Sequence, residues 1–160
     1  MKALVVYDSV FGNTERIARA IGNALGRPED VETLSVGNVR PEQLTGLKLL
    51  IVGSPTRGFR PTPATSNFLK GVPKNGLKGV KVAAFDTRLT VEAIKSSVFI
   101  LRILVNIFGY AAKPIADRIE KKGGELVVPP EGFFVQGSEG PLIEGELERA
   151  AGWAKLIRAG

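Results

Sequence analysis

Three short apolar runs limit this chain most. They are Ala3-Leu4-Val5-Val6-Tyr7, Leu47-Lys48-Leu49-Leu50-Ile51-Val52-Gly53 and Val80-Lys81-Val82-Ala83-Ala84-Phe85. A strand with one wet face alternates apolar and polar residues, whereas a strand covered on both faces reads as a near-continuous apolar run. Between and after the runs lie segments with helical spacing, at 14–25, 64–71, 111–122 and 145–157. The first should end near Gly26-Arg27-Pro28 and the third at Gly123-Gly124. Val31 to Val36 alternates, as a half-buried or edge strand does, and Pro41-Glu42-Gln43-Leu44 suits a short helical turn. Glu125 to Val128 and Phe133-Phe134-Val135 read as two pieces of a last strand, split by Pro129-Pro130. Strands alternating with helices predict an α/β chain with a parallel sheet and helices on both faces. No repeat, linker or low-complexity tract divides the 160 residues, so one domain spanning 1–160 is expected.

Composition narrows the chemistry. There is no cysteine and no histidine. That excludes disulfides, thiol catalysis and histidine triads, and it removes the usual zinc ligands. Redox or group-transfer chemistry would have to come from a cofactor. No N-terminal targeting segment is visible, which suits a cytoplasmic protein. The net charge of +6 should attract anionic partners. The charges are dispersed, however, and no nucleic-acid motif is present, so no specific nucleic-acid partner is expected.

The segment Ser9-Val10-Phe11-Gly12-Asn13-Thr14 lies between the first strand and the first helix. The first N–H groups of a helix have no intrahelical partner, and the helix dipole favours an anion beside them. Ser9 and Thr14 add hydroxyls, and Gly12 lets the backbone approach a ligand. A Walker loop would need a lysine after the glycine, and a dinucleotide fingerprint would need three glycines; this loop has neither. An ordinary capped turn is the competing reading. Two further loops follow buried strands: Ser54-Pro55-Thr56-Arg57-Gly58-Phe59-Arg60-Pro61-Thr62-Pro63, and Asp86-Thr87-Arg88-Leu89-Thr90. Taken singly, each also suits a plain turn. In a parallel sheet, though, such loops gather at the carboxyl ends of the strands, where ligands bind.

Together these loops resemble those of the flavodoxin family. Ser9 to Thr14 is similar to its phosphate loop, with Phe11 where many members carry threonine. Gly53-Ser54-Pro55-Thr56 is similar to its second loop, and Asp86-Thr87-Arg88 stands in the place of its third. The third loop lacks the tyrosine that covers one flavin face in many members, and the basic charge is also a departure. The resemblance spans the chain except 91–110. It implies a three-layer sandwich around a doubly wound, five-stranded parallel sheet of order 2-1-3-4-5. It also implies FMN held by Ser9, Val10, Phe11, Gly12, Asn13 and Thr14 at its phosphate. Ser54, Pro55, Thr56, Arg57, Gly58 and Phe59, with Asp86, Thr87, Arg88 and Leu89, would border its ring. Phe59 would be a stacking platform, the other face would be either open or covered by Leu89, and Arg57, Arg60 and Arg88 would be cations that favour the reduced, anionic flavin.

The implied function is one- or two-electron transfer, with a redox partner protein or a small electron acceptor. No catalytic side chain and no metal site are expected. Two alternatives stay open: an FMN-dependent reductase or oxidase acting on a quinone or porphyrin-like substrate, and the same fold without flavin as a binding module. Residues 91–108 are unusually apolar, with polar residues at 92, 95, 96, 102 and 106 at helical spacing. A helix there could wall the pocket, form a homodimer surface or touch a membrane peripherally; its apolar run is too short to span a bilayer.

Overall fold

The computed structural model describes residues 2–57, 60–90 and 109–160. Gly58, Phe59 and the apolar segment 91–108 lie outside the described residues. The elements run β1 (Ala3–Tyr7), α1 (Asn13–Leu25), β2 (Val31–Ser35), β3 (Leu49–Pro55), α2 (Pro63–Gly71), β4 (Lys81–Leu89), α3 (Ala112–Lys121), β5 (Glu125–Leu126), β6 (Glu131–Val135) and α4 (Glu146–Ala159). A 3-10 turn covers Pro41–Leu44.

Among the described residues the strand-to-strand pairings are parallel, in the order β2-β1-β3-β4, with β5 and β6 both on the far side of β4. This is the expected order 2-1-3-4-5, its last strand in two pieces. Leu126 pairs with Val82 and Glu131 with Phe85. The last strand therefore takes five steps where β4 takes three, and two residues bulge out around Pro129-Pro130. Proline brings no N–H to a ladder, so the break falls where pairing is weakest.

Side chains on successive strand residues point to opposite faces, and here each face has its own core. Val5, Tyr7, Ile51, Ala83 and Phe85 pack with Ile17 and Ile21 of α1 and with Trp153 and Ile157 of α4. Leu4, Val6, Leu50, Val52, Val82 and Ala84 pack with Leu69 of α2 and with Ile115 and Ile119 of α3. The result is the three-layer sandwich, and it explains why Ala3 to Val6, Leu49 to Val52 and Val82 to Phe85 are apolar at every position. Phe85, Phe133 and Trp153 meet edge to face, with ring centroids 5.9–6.1 Å apart. A side chain at Gly53 would put its Cβ 2.0 Å from the Phe85 ring, so that ring lies where only glycine leaves space.

Two strands run past their expected ends. β4 continues to Leu89, so Asp86, Thr87, Arg88 and Leu89 are strand rather than loop. β3 continues through Ser54 and Pro55, which pair with Asp86 and Thr87. Polar residues can stay in these buried strands because each has a partner. Asp86 is paired with Arg88, and Thr87 with Thr14. Pro55 is tolerated because its nitrogen faces the β1 side of β3, and β1 ends at Tyr7 opposite Gly53.

Candidate functional site

The carboxyl ends of β1, β3, β4 and β6 surround a cavity of about 290 Å³. Val10, Phe11, Asn13 and Thr14 line it from the first loop, Pro55, Thr56 and Arg57 from the second, and Thr87, Arg88 and Leu89 from β4. A larger depression, about 870 Å³, lies between segment 36–46 and α2. Its lining is dominated by Val36, Val39, Leu44 and Phe68 and includes none of the first-loop residues.

The first loop is shaped by Ser9. Its Oγ accepts the N–H groups of Gly12 (3.1 Å) and Glu15 (3.3 Å), which folds the loop onto the start of α1. Gly12 caps the helix at φ +93°, a left-handed conformation that glycine adopts without strain. Nothing lies within 4 Å of the place a Cβ would take there. Among the described residues, the N–H groups of Val10, Phe11, Asn13 and Thr14 have no acceptor. Four backbone donors thus stand at the positive end of a helix, beside a cavity. That is the donor set a phosphate needs.

Side chains tie this loop to its neighbours. Thr14 and Thr87 share a hydrogen bond between hydroxyls, 2.8 Å long, which leaves one of the two protons free to donate into the cavity. Asp8 accepts the Ser9 N–H at 3.0 Å and the Thr62 hydroxyl at 2.5 Å. Thr62 in turn accepts the Thr65 N–H as the cap of α2, with Pro63 in the first helical turn. Ser54 is fully buried; its Oγ accepts the Thr62 N–H and donates to the Pro55 carbonyl, closing the second loop on itself. Thr56 accepts the Ala111 N–H at 3.1 Å, which fixes the start of α3 to the same loop.

The three arginines play different parts. Arg88 makes two hydrogen bonds to the buried Asp86 carboxylate (2.6 and 2.7 Å) and stacks on Tyr110, 3.8 Å from the ring centroid. Asp86 also accepts the Ala112 N–H. Burial pushes the Asp86 carboxyl above the usual carboxylate range, against the pull of the Arg88 guanidinium and that N–H. Burial likewise raises the Tyr110 phenol, with Arg88 acting in the other direction. Arg57 lies over Phe11, 5.6 Å from its ring centroid. Arg60 exchanges two backbone hydrogen bonds with Arg57 and does not line the cavity.

The structure thus gathers Val10, Phe11, Asn13, Thr14, Pro55, Thr56, Arg57, Thr87, Arg88 and Leu89 around one cavity. Ser9, Gly12, Ser54 and Asp86 stand behind them as supports, and Gly58 and Phe59 lie outside the described residues. Val135, Ser138 and Glu139 also line the cavity, and the sequence reading missed them. Their signal was the polar, glycine-bearing stretch Gln136-Gly137-Ser138-Glu139-Gly140, which leaves the last strand at the same sheet edge as the other loops. Asn13 donates to the Glu139 carbonyl at 3.1 Å and closes that side. Asp8, as the link between two loops, was missed as well.

Comparison with known proteins agrees with this fold. A protein named "Probable flavodoxin 1" from Bacillus subtilis (strain 168) is 33% identical over 88 residues. The match covers 54% of this chain and 56% of that relative, so just over half of each is compared. Among solved structures, a flavodoxin from the domain Archaea matches with a TM-score of 0.77 at 24% identity, covering 99% of this chain and 97% of that one. Oxidised Flavodoxin 2 from Bacillus cereus matches at 0.74 and 22%, covering 99% of both chains. Rubredoxin oxygen:oxidoreductase from Desulfovibrio gigas matches at 0.72 and 20%, covering 99% of this chain but 35% of that longer one. At these identities the structures speak for the fold. The flavodoxin family model matches residues 5–153, nearly the whole length, and the chain therefore belongs to the flavodoxin family.

Proposed function

We propose that this chain binds FMN and serves as an electron-transfer flavoprotein. One observation carries the reading. The four open N–H groups of Val10, Phe11, Asn13 and Thr14 face a cavity at the switch between β1 and β3, the place where open α/β sheets bind nucleotides. The residues fit the cofactor that the family implies. The first loop would hold the phosphate, with the free proton of the Thr14–Thr87 pair as a further donor. Pro55, Thr56, Thr87, Leu89 and Val135 would wall the rest. Bound FMN would supply one- and two-electron chemistry that no side chain of this chain offers.

The protein's own part is to bind, orient and set the local field. Among the described lining residues the charged groups are Arg57, Arg88 and Glu139, with no cysteine or histidine beside them. That set supports a carrier, which hands electrons to a redox partner protein or small acceptor, over an enzyme with its own acid–base machinery. Arg88 is paired with Asp86, and an ion pair projects a weaker field than a lone charge. The positive field once expected from three arginines is correspondingly smaller.

FMN fluorescence, titrated into apo-protein, tests the reading. Tight quenching is expected for the wild type and its loss for Gly12→Asp. The variant strains a left-handed position and puts a carboxylate where the phosphate should lie. A wild-type chain that leaves FMN fluorescence unchanged would remove the electron-transfer function.

A further inference from the structure

Position 11 faces the cavity with a phenyl ring, which offers no hydrogen-bond donor. The ring is 47% exposed, so it is not there to fill the core. What it carries is Arg57, whose guanidinium lies over its face. Arg57 itself is anchored at the backbone, where it donates to Arg60 at 2.8 Å and accepts from Arg60 at 3.1 Å. Among the described residues no carboxylate pairs with it, whereas Arg88, the other arginine at the cavity, is held by Asp86.

We propose that Arg57, held on the face of Phe11, is a charged ligand for the phosphate of the bound flavin nucleotide. The inference rests on the FMN reading above and goes beyond it, because the loop's backbone donors are all neutral. A guanidinium lying over a ring keeps several N–H groups that the ring does not use. Those groups can meet two phosphate oxygens at once, as arginine does with phosphate elsewhere. The ring also restrains a long side chain before the ligand arrives, which lowers the entropy lost on binding. Position 11 thus offers no hydroxyl of its own but carries a cation delivered from the second loop. The class of ligand preferred follows: a flavin carrying a terminal phosphate dianion, favoured over the same flavin without it.

The test compares FMN with riboflavin in wild type, Arg57→Gln, Arg57→Lys and Phe11→Leu, with far-UV circular dichroism as a control for folding. Loss of a charge-assisted hydrogen bond corresponds to roughly tenfold or more in affinity. Arg57→Gln should therefore weaken FMN about tenfold or more and leave riboflavin within about twofold. Arg57→Lys should keep part of the affinity, and Phe11→Leu should lose part of it. Wild-type affinity for FMN should fall as salt rises, less so in Arg57→Gln, and inorganic phosphate should compete with FMN. Equal losses for FMN and riboflavin, or no loss for either, would overturn the role of Arg57 while leaving the flavin site standing. A wild type that binds neither ligand would sink the FMN reading itself, and the arginine's role with it.

Discussion

Arg88 shows how much one residue's meaning depends on its neighbours. In the sequence it follows a polar pair after an apolar run, which reads as a loop cation. In the structure it closes a buried ion pair inside β4, with its side chain 19% exposed and Asp86 fully buried. Breaking such a pair leaves a buried charge without its partner, at a cost of about 3 kcal/mol. Arg88→Met should lower stability by that order at pH 8. The cost should shrink toward pH 5. Without the guanidinium the folded Asp86 carboxyl rises further above its unfolded value near 3.8. A carboxyl raised in the folded state favours folding at low pH and loses that contribution as pH rises through the folded pKa. Urea unfolding of both proteins at the two pH values checks this, and a pH-independent difference would refute it. No propensity scale separates this arginine from a solvated one; only the register of β4 against β6 puts it beside Gly132, where any Cβ would collide with its guanidinium.

At the scale of elements, the strands and helices were legible because their signals are local. Apolar runs marked β1, β3 and β4, and glycines and prolines marked the ends of α1 and α3. The strand extensions were not legible, since a polar residue looks like a strand end unless its partner is known. The joint between β6 and α4 was also hidden, because it rests on one long-range network. Glu146 accepts the Phe134 N–H at 2.7 Å, and Arg149 binds both Glu146 oxygens. Arg149 also donates to the Gly132 carbonyl and stacks on Phe133. Burial alone would raise the Glu146 carboxyl, but Arg149 and the Phe134 N–H outweigh it and hold it below its usual value of 4.5. A carboxyl lowered in the folded state contributes stability above its unfolded pKa and loses it as pH falls through the folded one. Glu146→Gln should thus cost about 2 kcal/mol at pH 7, the scale of hydrogen bonds to a charged group. Its deficit against wild type should close as the pH drops below 4.5. Thermal melts across that range decide it.

At the scale of the whole molecule, the cavity is a joint product of four strand ends. The sequence revealed three of its walls, through loops whose residue types suggest a ligand. The fourth, Val135 to Glu139, carries only a polar, glycine-bearing stretch that suits any turn, and it joins the site because the sheet order puts β6 beside β4. A site distributed this way should couple ligand binding to global stability. FMN at a hundredfold excess over its dissociation constant should add about 2.7 kcal/mol to the unfolding free energy, visible as a melting point several degrees higher. Gly12→Asp should show no such rise. An unchanged wild-type melting point would contradict FMN binding.

The packing of α1 against α4 has a consequence for the order in which the protein is made. The apolar stripe of Ile17 and Ile21 is sealed in part by Trp153 and Ile157, near the other end of the chain. Synthesis is vectorial, so the first helix leaves the ribosome long before its cover exists. Until that cover is made, the stripe has only the sheet side, Val5 and Ile51 among it, to pack against. The first loop meets its own partner, the Glu139 carbonyl, equally late, so the ligand site is complete only once that segment has been made.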